Sequence, residues 1–197
     1  MSANNHINWS QRPTHLGGPL ILTADQQARR ARIVRVARGL ADRGYGAVNM
    51  RTVAQGSGVA PATVYYYFPS KGHLLVTCLN QWLIHFQVNA VPDLAGIVDP
   101  YDRLLTLVDR LNATLCATPG FADAVARAYL CADETVGALV EDTRAELSEM
   151  VAEAMGVGEA TRHHREVGEL IADVWAANVL AVVHRRATVR DLHYRLN

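Results

Sequence analysis

Lysine is almost absent from this chain of 197 residues, because Lys71 is the only lysine among 19 basic residues. Cysteine is scarce too: Cys78, Cys116 and Cys131 are far apart and form no C-x-x-C pair. An odd and scattered set of cysteines argues against a disulfide framework and against a zinc site of the usual spacing. We therefore expect a reducing, cytoplasmic location.

Long apolar runs are missing as well. The longest, residues 174–183, is interrupted by Asn178 and is far shorter than the roughly 20 residues that a membrane helix requires. The chain starts without a basic-then-apolar leader, so we expect a soluble and unprocessed protein. Strand-like alternation is limited to a few residues, whereas apolar residues recur at helical spacing from Thr23 onward. The sequence predicts an all-α protein.

The net charge of zero conceals two regions of opposite sign. Residues 1–77 contain nine basic and two acidic side chains, a net charge of +7, so the remaining residues have a net charge of −7. A basic region at one end of a chain is typical of proteins that bind nucleic acids. We therefore expect a basic DNA-binding part joined to an acidic part with another role.

Helix breakers and caps divide the chain further. Residues 1–22, rich in Asn, Pro and Gly, are predicted to be a flexible arm. The rest splits into a head, residues 23–70, and a body, residues 71–197. We expect helices at about 25–43, 50–56, 61–67, 71–89, 100 to the break at 119, 121–132, 134–155 and 161–187, with a further helical segment from 189. The first should bury the stripe Ile33, Val36, Ala37, Leu40 and Ala41.

Within the head, Ala54, Gly58 and Val64 have the spacing of a helix-turn-helix. The first helix of this motif needs a small residue where the second crosses it, the turn needs a glycine that accepts a positive φ, and the second helix needs an apolar anchor. Pro61 is also a favoured first residue of a helix. The spacing predicts a reader of double-stranded DNA.

The second helix of the motif contains three adjacent tyrosines. Val64 and Phe68 are four residues apart and should face inward, so the tyrosines between them cannot all be buried. A tyrosine ring can pack on a sugar or a thymine methyl while its hydroxyl bonds a phosphate. Lys71 follows the cap Ser70 at a helix start, where a phosphate is also favoured. The alternative is an aromatic cluster between head and body.

Residues 25–75 resemble the N-terminal domain of the TetR family of bacterial repressors. The resemblance implies that Arg51 contacts a guanine in the major groove and that Pro61 and Ala62 face the bases. It implies phosphate or methyl contacts by the remaining members of the set, which are Thr63, Tyr65, Tyr67 and Lys71, with Tyr66 beside them. Two positions depart from the family: Ala60 replaces the usual Ser or Thr cap, and Gly72 replaces a common acidic residue.

The same resemblance implies that the body binds a small-molecule effector and pairs two subunits. A homodimer could then read palindromic operator DNA, since each head reads one half-site. The last long helix would supply the apolar seam between subunits, through Ile171, Val174, Val182 and Val183. Burial of these side chains within one subunit is the alternative.

Segments of the body resemble the KstR-type repressors of sterol catabolism in actinobacteria, among them Leu111-Asn112, residues 127–129 and residues 173–175. This resemblance implies a large apolar effector, a steroid or its coenzyme A thioester, and control of lipid or sterol catabolism genes. Its channel would be lined by side chains drawn from the body: Trp82, Phe86, Leu104, Leu107, Val108, Leu111, Phe121, Tyr129, Trp175 and Asn178. Core packing is the alternative for the apolar members.

Two polar features of the body remain open at this point. Asn178 lies on the apolar stripe of its helix and needs a hydrogen-bond partner, either a ligand carbonyl or a group of the partner helix. Arg127, Arg185 and Arg186 could meet a charged effector tail or be ordinary surface charges.

Other functional classes are less well supported. A metal site is the main alternative, with the candidate ligands His163, His164, Glu166 and His184. Their spacing does not match that of known metal sites, and their surroundings are polar. The sequence has no nucleophile triad, phosphate loop or dinucleotide fingerprint. We therefore expect no enzyme, no metal and no cofactor. Among regulators, the alternative is a repressor of an efflux pump that senses hydrophobic drugs, because such pockets often hold acidic residues and the body has many.

Overall fold

A computed structural model describes residues 22–90, 94, 96–156 and 160–183. These residues form eight α-helices and one short 3₁₀ turn: α1 (Ala24–Ala41), the 3₁₀ turn (Tyr45–Ala47), α2 (Met50–Ser57), α3 (Pro61–Tyr67), α4 (Lys71–Ala90), α5 (Pro100–Cys116), α6 (Pro119–Leu130), α7 (Gly137–Met155) and α8 (Arg162–Val183). The described residues include no strand, and the all-α prediction is confirmed. The predicted arm up to residue 21, Arg185, Arg186 and the segment from 189 lie outside the described residues.

Side-chain caps explain where several helices begin. Thr23 and Gln26 form a reciprocal capping box at α1, in which Thr23 N donates to Gln26 Oε1 over 2.9 Å and Gln26 N donates to Thr23 Oγ1 over 3.4 Å. Asn49 Oδ1 accepts from Arg51 N at α2, over 2.9 Å. At α5, Asp99 Oδ1 accepts two backbone N–H groups. In contrast, α3 has no side-chain cap because Ala60 precedes it.

Helix boundaries differ from prediction where a loop makes its own hydrogen bonds. Helix α1 ends at Ala41 rather than Arg43, because the chain turns through Gly44, whose φ is +95°. Helix α7 begins at Gly137 rather than Glu134, since Asp133 Oδ1 accepts from the backbone and hydroxyl of Thr135 and holds that segment in a turn. Helix α6 begins at Pro119, a favoured first position, and not at Phe121.

One apolar core runs from the head into the body. Its largest fully buried side chains include Ile33 of α1, Phe68 directly after α3, Leu75 of α4, Leu111 of α5 and Phe121 of α6. The predicted stripe of α1 is buried except at Val36, which is half-buried against Gly56, while Val34 is buried. Among the described helices, none has both the length and the hydrophobicity that crossing a bilayer would demand.

Candidate nucleic-acid interface and effector cavity

Helices α2 and α3 form the predicted helix-turn-helix. Gly58 ends α2 in the left-handed conformation, with φ 64° and ψ 37°, which only glycine adopts without strain. The crossing is tight because Ala54 and Val64 are 1% and 0% exposed. Val59 N also donates to Ala54 O over 3.1 Å and closes the turn. The turn is therefore rigid and presents α3 in a defined orientation.

Seven of the eight predicted DNA contacts have exposed or half-buried side chains, and only Tyr67 is buried. We call the six that lie on α2 and α3 the reading surface: Arg51, Pro61, Ala62, Thr63, Tyr65 and Tyr66. Tyr65 is 51% and Tyr66 58% exposed, although both are large aromatic residues. Thr63 is half-buried, whereas Arg51, Pro61 and Ala62 are exposed. Exposed aromatic rings and an exposed arginine on the two helices of a helix-turn-helix are suited to phosphate and base contacts.

Tyr67 does not belong to the reading surface. It is 7% exposed because it lies one turn after Val64, on the face of α3 that packs on the core. Its ring meets Tyr66 edge-on with centroids 5.1 Å apart and lies 6.4 Å from the Phe68 ring. Tyr67 is therefore part of an aromatic cluster, which was the alternative, whereas Tyr65 and Tyr66 are exposed.

Lys71 has an internal partner that the sequence did not indicate. Its Nζ donates to Tyr45 O over 2.5 Å and lies 3.5 Å from the centroid of the Tyr45 ring. Partial burial lowers the pKa of Lys71. The lysine thus ties the start of α4 to the 3₁₀ turn, and a phosphate contact would have to replace the bond to Tyr45 O.

Three arginines of α1 make tertiary contacts. Arg32 Nε donates to Ser57 O at the end of α2, over 2.8 Å. The guanidinium carbon of Arg30 lies 5.1 Å from the centroid of the Phe68 ring, and burial lowers its pKa. Arg38 is 5.1 Å from the centroid of the Phe121 ring in α6. These arginines hold the head together and join it to the body.

The start of α6 lies directly against the chain that leaves α1. A Cβ atom on Gly120 would be 2.1 Å from Asp42 O and 2.9 Å from Gly44 N, so only glycine fits this position. The next residue, Phe121, is 2% exposed and carries the contact with Arg38. Any displacement of α6 would therefore act on the head through its backbone.

Helices α4, α5, α6 and α8 surround a small apolar cavity in the body. It has room for about one water molecule. Its lining consists of Leu79, Leu115, Val125, Ala126, Tyr129, Trp175 and Val179. This cavity is much smaller than a steroid, so it does not by itself form the long channel expected from the sequence.

Of the ten predicted effector contacts, Tyr129 and Trp175 line this cavity. Seven others pack in the core, each at most 6% exposed: Trp82, Phe86, Leu104, Leu107, Val108, Leu111 and Phe121. In this structure these seven residues have the alternative role, which was packing in the core. Tyr129 is half-buried, and its desolvation, followed by the nearby Glu141 carboxylate, raises its pKa to about 12.

Two amides of the body differ in what they bind. Asn178, the tenth predicted contact, is half-buried, and its Nδ2 donates to Val174 O one turn earlier, over 2.7 Å. Asn112 was not a predicted contact, yet it is 1% exposed and its Oδ1 accepts from Trp175 Nε1 over 3.0 Å. A polar residue between Leu111 and Leu115 on an apolar face was the signal that could have identified it.

Several charged groups of the body are paired at the surface. Arg127 Nε forms an ion pair with Asp123 over 2.7 Å, and Arg162 Nε one with Glu166 over 2.9 Å. His164 N donates to Thr161 Oγ1, and the imidazole accepts from Thr161 N, so this histidine caps α8. Within the described ranges no three candidate ligands cluster around a metal position. His184 lies outside those ranges.

An apolar stripe on α8 faces away from the core. It comprises Leu170, which is 63% exposed, together with Val174, Ala177 and Ala181 at helical spacing. Ile171, predicted for the subunit seam, is instead 8% exposed and belongs to the core of its own subunit. The side chains of Val182 and Val183 lie outside what the structure describes.

Comparison with known proteins agrees with this architecture. The family description "Bacterial regulatory proteins, tetR family" matches residues 33–78, and "Tetracyclin repressor-like, C-terminal domain" matches residues 98–197. The HTH-type transcriptional repressor KstR of Mycolicibacterium smegmatis is 38% identical over 176 residues, which cover 87% of this chain and 85% of that protein.

Two solved structures have the same fold. A TetR transcriptional regulator from Rhodococcus sp. RHA1 superposes with a TM-score of 0.75 at 23% identity, over 87% of this chain and 92% of that one. Thermus thermophilus FadR, a repressor solved in complex with lauroyl-CoA, gives 0.68 at 22% identity, over 85% and 91%. The matched families and the relative are transcriptional regulators, which confirms that the chain is not an enzyme. The chain belongs to the TetR family of transcriptional repressors and resembles KstR within it.

Proposed function

We propose that this protein is a cytoplasmic, ligand-responsive repressor that binds palindromic operator DNA as a homodimer. The head, residues 23–70, reads DNA, and the body, residues 71–197, binds the effector and the second subunit. The observation that carries the proposal is the reading surface: exposed Tyr65 and Tyr66 on α3 and exposed Arg51 on α2 of the helix-turn-helix. Adjacent exposed aromatic rings often mark a binding site, and contact with a nucleic acid would cover them.

The charge distribution supports DNA as the partner of the head. Residues 1–77 have a net charge of +7 although the chain as a whole is neutral. Each phosphate that the protein neutralises releases counterions, so log affinity should fall with log salt concentration at a slope of about −0.9 per phosphate. We would measure this slope by fluorescence anisotropy on DNA from upstream of the gene, with a scrambled duplex as control. A flat response would contradict DNA binding.

The apolar stripe on α8 supports a second copy of this chain as the partner of the body. Reading a palindrome requires two heads about 34–36 Å apart, or a multiple of this distance, and therefore two subunits. Leu170, at 63% exposure, begins this stripe and is its largest exposed side chain. Leu170→Glu should be monomeric in sedimentation experiments and should keep its helicity, as measured by circular dichroism. The control Glu169→Gln, which changes the exposed neighbouring residue, should remain dimeric. Dimers of the Leu170 variant would place the seam elsewhere.

The proposed effector is a large apolar molecule, a steroid or its coenzyme A thioester, and the controlled genes serve lipid or sterol catabolism. The resemblance to KstR over most of the chain supports this class of ligand, as does the apolar lining of the cavity. FadR, which shares the fold, was solved with an acyl-coenzyme A. Since the cavity holds about one water molecule, such an effector would require a more open body.

That requirement provides the mechanism of release. A ligand that fits only an open body stabilises that conformation and lowers operator affinity by its preference for it. Because Gly120 lies against the backbone of Asp42, a rearrangement of α6 would reach the head. The closed body described here would then be the form that binds DNA.

The effector experiment compares three ligands on a preformed protein–operator complex. We would follow anisotropy during titration with a steroid coenzyme A thioester, the free steroid and a cationic hydrophobic drug. Release at the lowest concentration by the thioester is the expected result. Release by the drug alone would favour the efflux-pump alternative, although the acidic residues Glu141, Glu149 and Glu153 are exposed rather than in the cavity. Release by none would contradict the proposed effector class.

A further inference from the structure

The orientation of the Asn112 amide is determined by its neighbour. Trp175 Nε1 can only donate a hydrogen bond, so the atom 3.0 Å away must be the acceptor, Oδ1. The Nδ2 group of Asn112 therefore points away from the indole nitrogen. Both residues are buried, at 1% and 4% exposure, and their mutual packing leaves little freedom to rotate.

The donor end of this amide has no partner. Among the residues that the structure describes, no atom accepts a hydrogen bond from Asn112 Nδ2. A buried donor without an acceptor destabilises a fold. The position is thus costly for stability, which is typical of groups retained for binding.

The unpaired donor lies behind the wall of the apolar cavity and is not itself part of the lining. Trp175, to which Asn112 is bonded, lines the cavity, and so does Leu115, which follows Asn112 by one turn on the same face of α5. The rest of the lining contributes apolar surface and the ring of Tyr129. A ligand that widens the cavity between Leu115 and Trp175 would therefore reach the amide donor next.

We propose that Asn112 recognises an oxygen atom of the effector, a ketone or hydroxyl oxygen on an otherwise apolar ring system, with Nδ2 donating to it. Trp175 is the positioning residue, because it holds Oδ1 and leaves Nδ2 free for the ligand. The described lining contains no cationic side chain, so an anionic tail would extend away from this end. This inference rests on the proposed apolar effector and adds which end of it is buried.

The test compares three steroids that differ in one oxygen: 5α-androstan-3-one, 5α-androstan-17-one and 5α-androstane, each delivered in cyclodextrin. Binding to the dimer without DNA is followed by tryptophan fluorescence. The protein should bind one of the ketones about tenfold more tightly than the hydrocarbon, since a buried donor is otherwise left unpaired. Asn112→Leu should bind all three alike. Its melting temperature is measured alongside, because the leucine removes the unpaired Nδ2 but also takes the acceptor from Trp175 Nε1.

Two further variants separate recognition from stability. Trp175→Phe keeps an aromatic ring but loses Nε1, and should reduce the ketone preference more than the affinity for the hydrocarbon. Thr143→Val removes another buried polar group, whose Oγ1 bonds Leu139 O, and should leave the preference unchanged.

The outcomes distinguish this proposal from the one on which it rests. Equal binding of all three steroids by the unmodified protein, or a preference that persists in Asn112→Leu, would overturn the role of Asn112 and leave a steroid effector intact. Failure of every steroid to bind would overturn the effector class, and the recognition proposal with it.

Discussion

The head and the body are held together by different kinds of contact. In the head, Arg32 donates to the backbone at Ser57 and Arg30 lies over Phe68, and Tyr45 O accepts from Lys71, the first residue of the body. In the body, columns such as Leu107, Leu111 and Leu115 are fully buried against other apolar side chains. Polar contacts are directional and favour one geometry, whereas apolar contacts depend mainly on buried area and allow repacking.

This difference matches the two tasks that we propose. A reading surface must hold its side chains in one register, and the directional contacts beneath α2 and α3 achieve this. A body that admits a large ligand must rearrange around a small cavity, and apolar packing permits it. The two regions still share one core through α4 and meet at Gly120, so neither can change without the other.

The largest effect is expected at Cys78, where α4 of the body lies beneath α1 of the head. Its Sγ is 3.8 Å from Val34 O, and desolvation raises its pKa from 9.0 to about 12. A thiol with the higher value has roughly a thousandth of the thiolate at neutral pH. In a variant with Cys116→Ala and Cys131→Ala, Cys78 should react with a thiol reagent only as fast as the protein opens.

The control retains Cys131, which is exposed, and removes the other two thiols. It should react at once, without dependence on urea. Rapid labelling of Cys78 in native buffer would mean that the head detaches from α4 independently, and the shared core would not be a single cooperative unit.

The same burial links stability to alkaline pH. Because the pKa of Cys78 is higher in the folded protein than in the unfolded chain, its contribution to stability is complete below about pH 9 and is lost as pH rises towards 12. The raised pKa of Tyr129 acts in the same direction between about pH 10 and 12. Melting temperatures should fall over this range, and less steeply in Cys78→Ala. An identical slope in that variant would contradict burial of the thiol.

The next effect concerns the junction between the two regions. Gly120→Ala would place a methyl group against Asp42 O, and relief requires movement of backbone rather than of a side chain. We expect a loss of about 3 kcal/mol in the free energy of unfolding, the upper end of the range for overpacking. Gly137→Ala is the matched control, since nothing lies within 4 Å of its new Cβ. It should be neutral or stabilising by about 0.4–1 kcal/mol.

Replacement of single contacts on the head should have a smaller effect on DNA binding. Arg51→Ala should weaken operator binding by about 1–3 kcal/mol and relax the preference for one base. Lys71→Ala should weaken binding to all sequences alike and reduce the salt slope by about one if the lysine exchanges Tyr45 O for a phosphate. Anisotropy on operator and scrambled duplexes measures both. An unchanged salt slope with a lower melting temperature would show that Lys71 remains on Tyr45 in the complex.

Local signals predicted the head well, because a helix-turn-helix is specified by short spacings such as Ala54 to Gly58 to Val64. Tertiary contacts were not predictable in this way. Nothing within α1 indicates that Arg30 would meet Phe68, which is distant in sequence. Tyr67 looked like its two neighbours, and only the face of α3 on which it lies separates it from them. In the body, the Asn112–Trp175 pair joins α5 to α8 across 63 residues, a distance over which periodicity carries no information.

The smallest predicted effect adds one directional contact to the head. Ala60 precedes α3 with the extended backbone of an N-cap, φ −65° and ψ 146°, but has no side-chain acceptor for the first N–H groups of the helix. Ala60→Thr should supply one and stabilise the protein by about 1 kcal/mol, whereas Ala60→Val, of the same shape without the oxygen, should not. Calorimetry distinguishes two consequences. If head and body unfold together, as the continuous core requires, the whole transition moves to higher temperature. A shift confined to an early, separate transition would mean that the contacts through α4 and α6 are too weak to couple the two regions, and the proposed route from effector to DNA would fail with them.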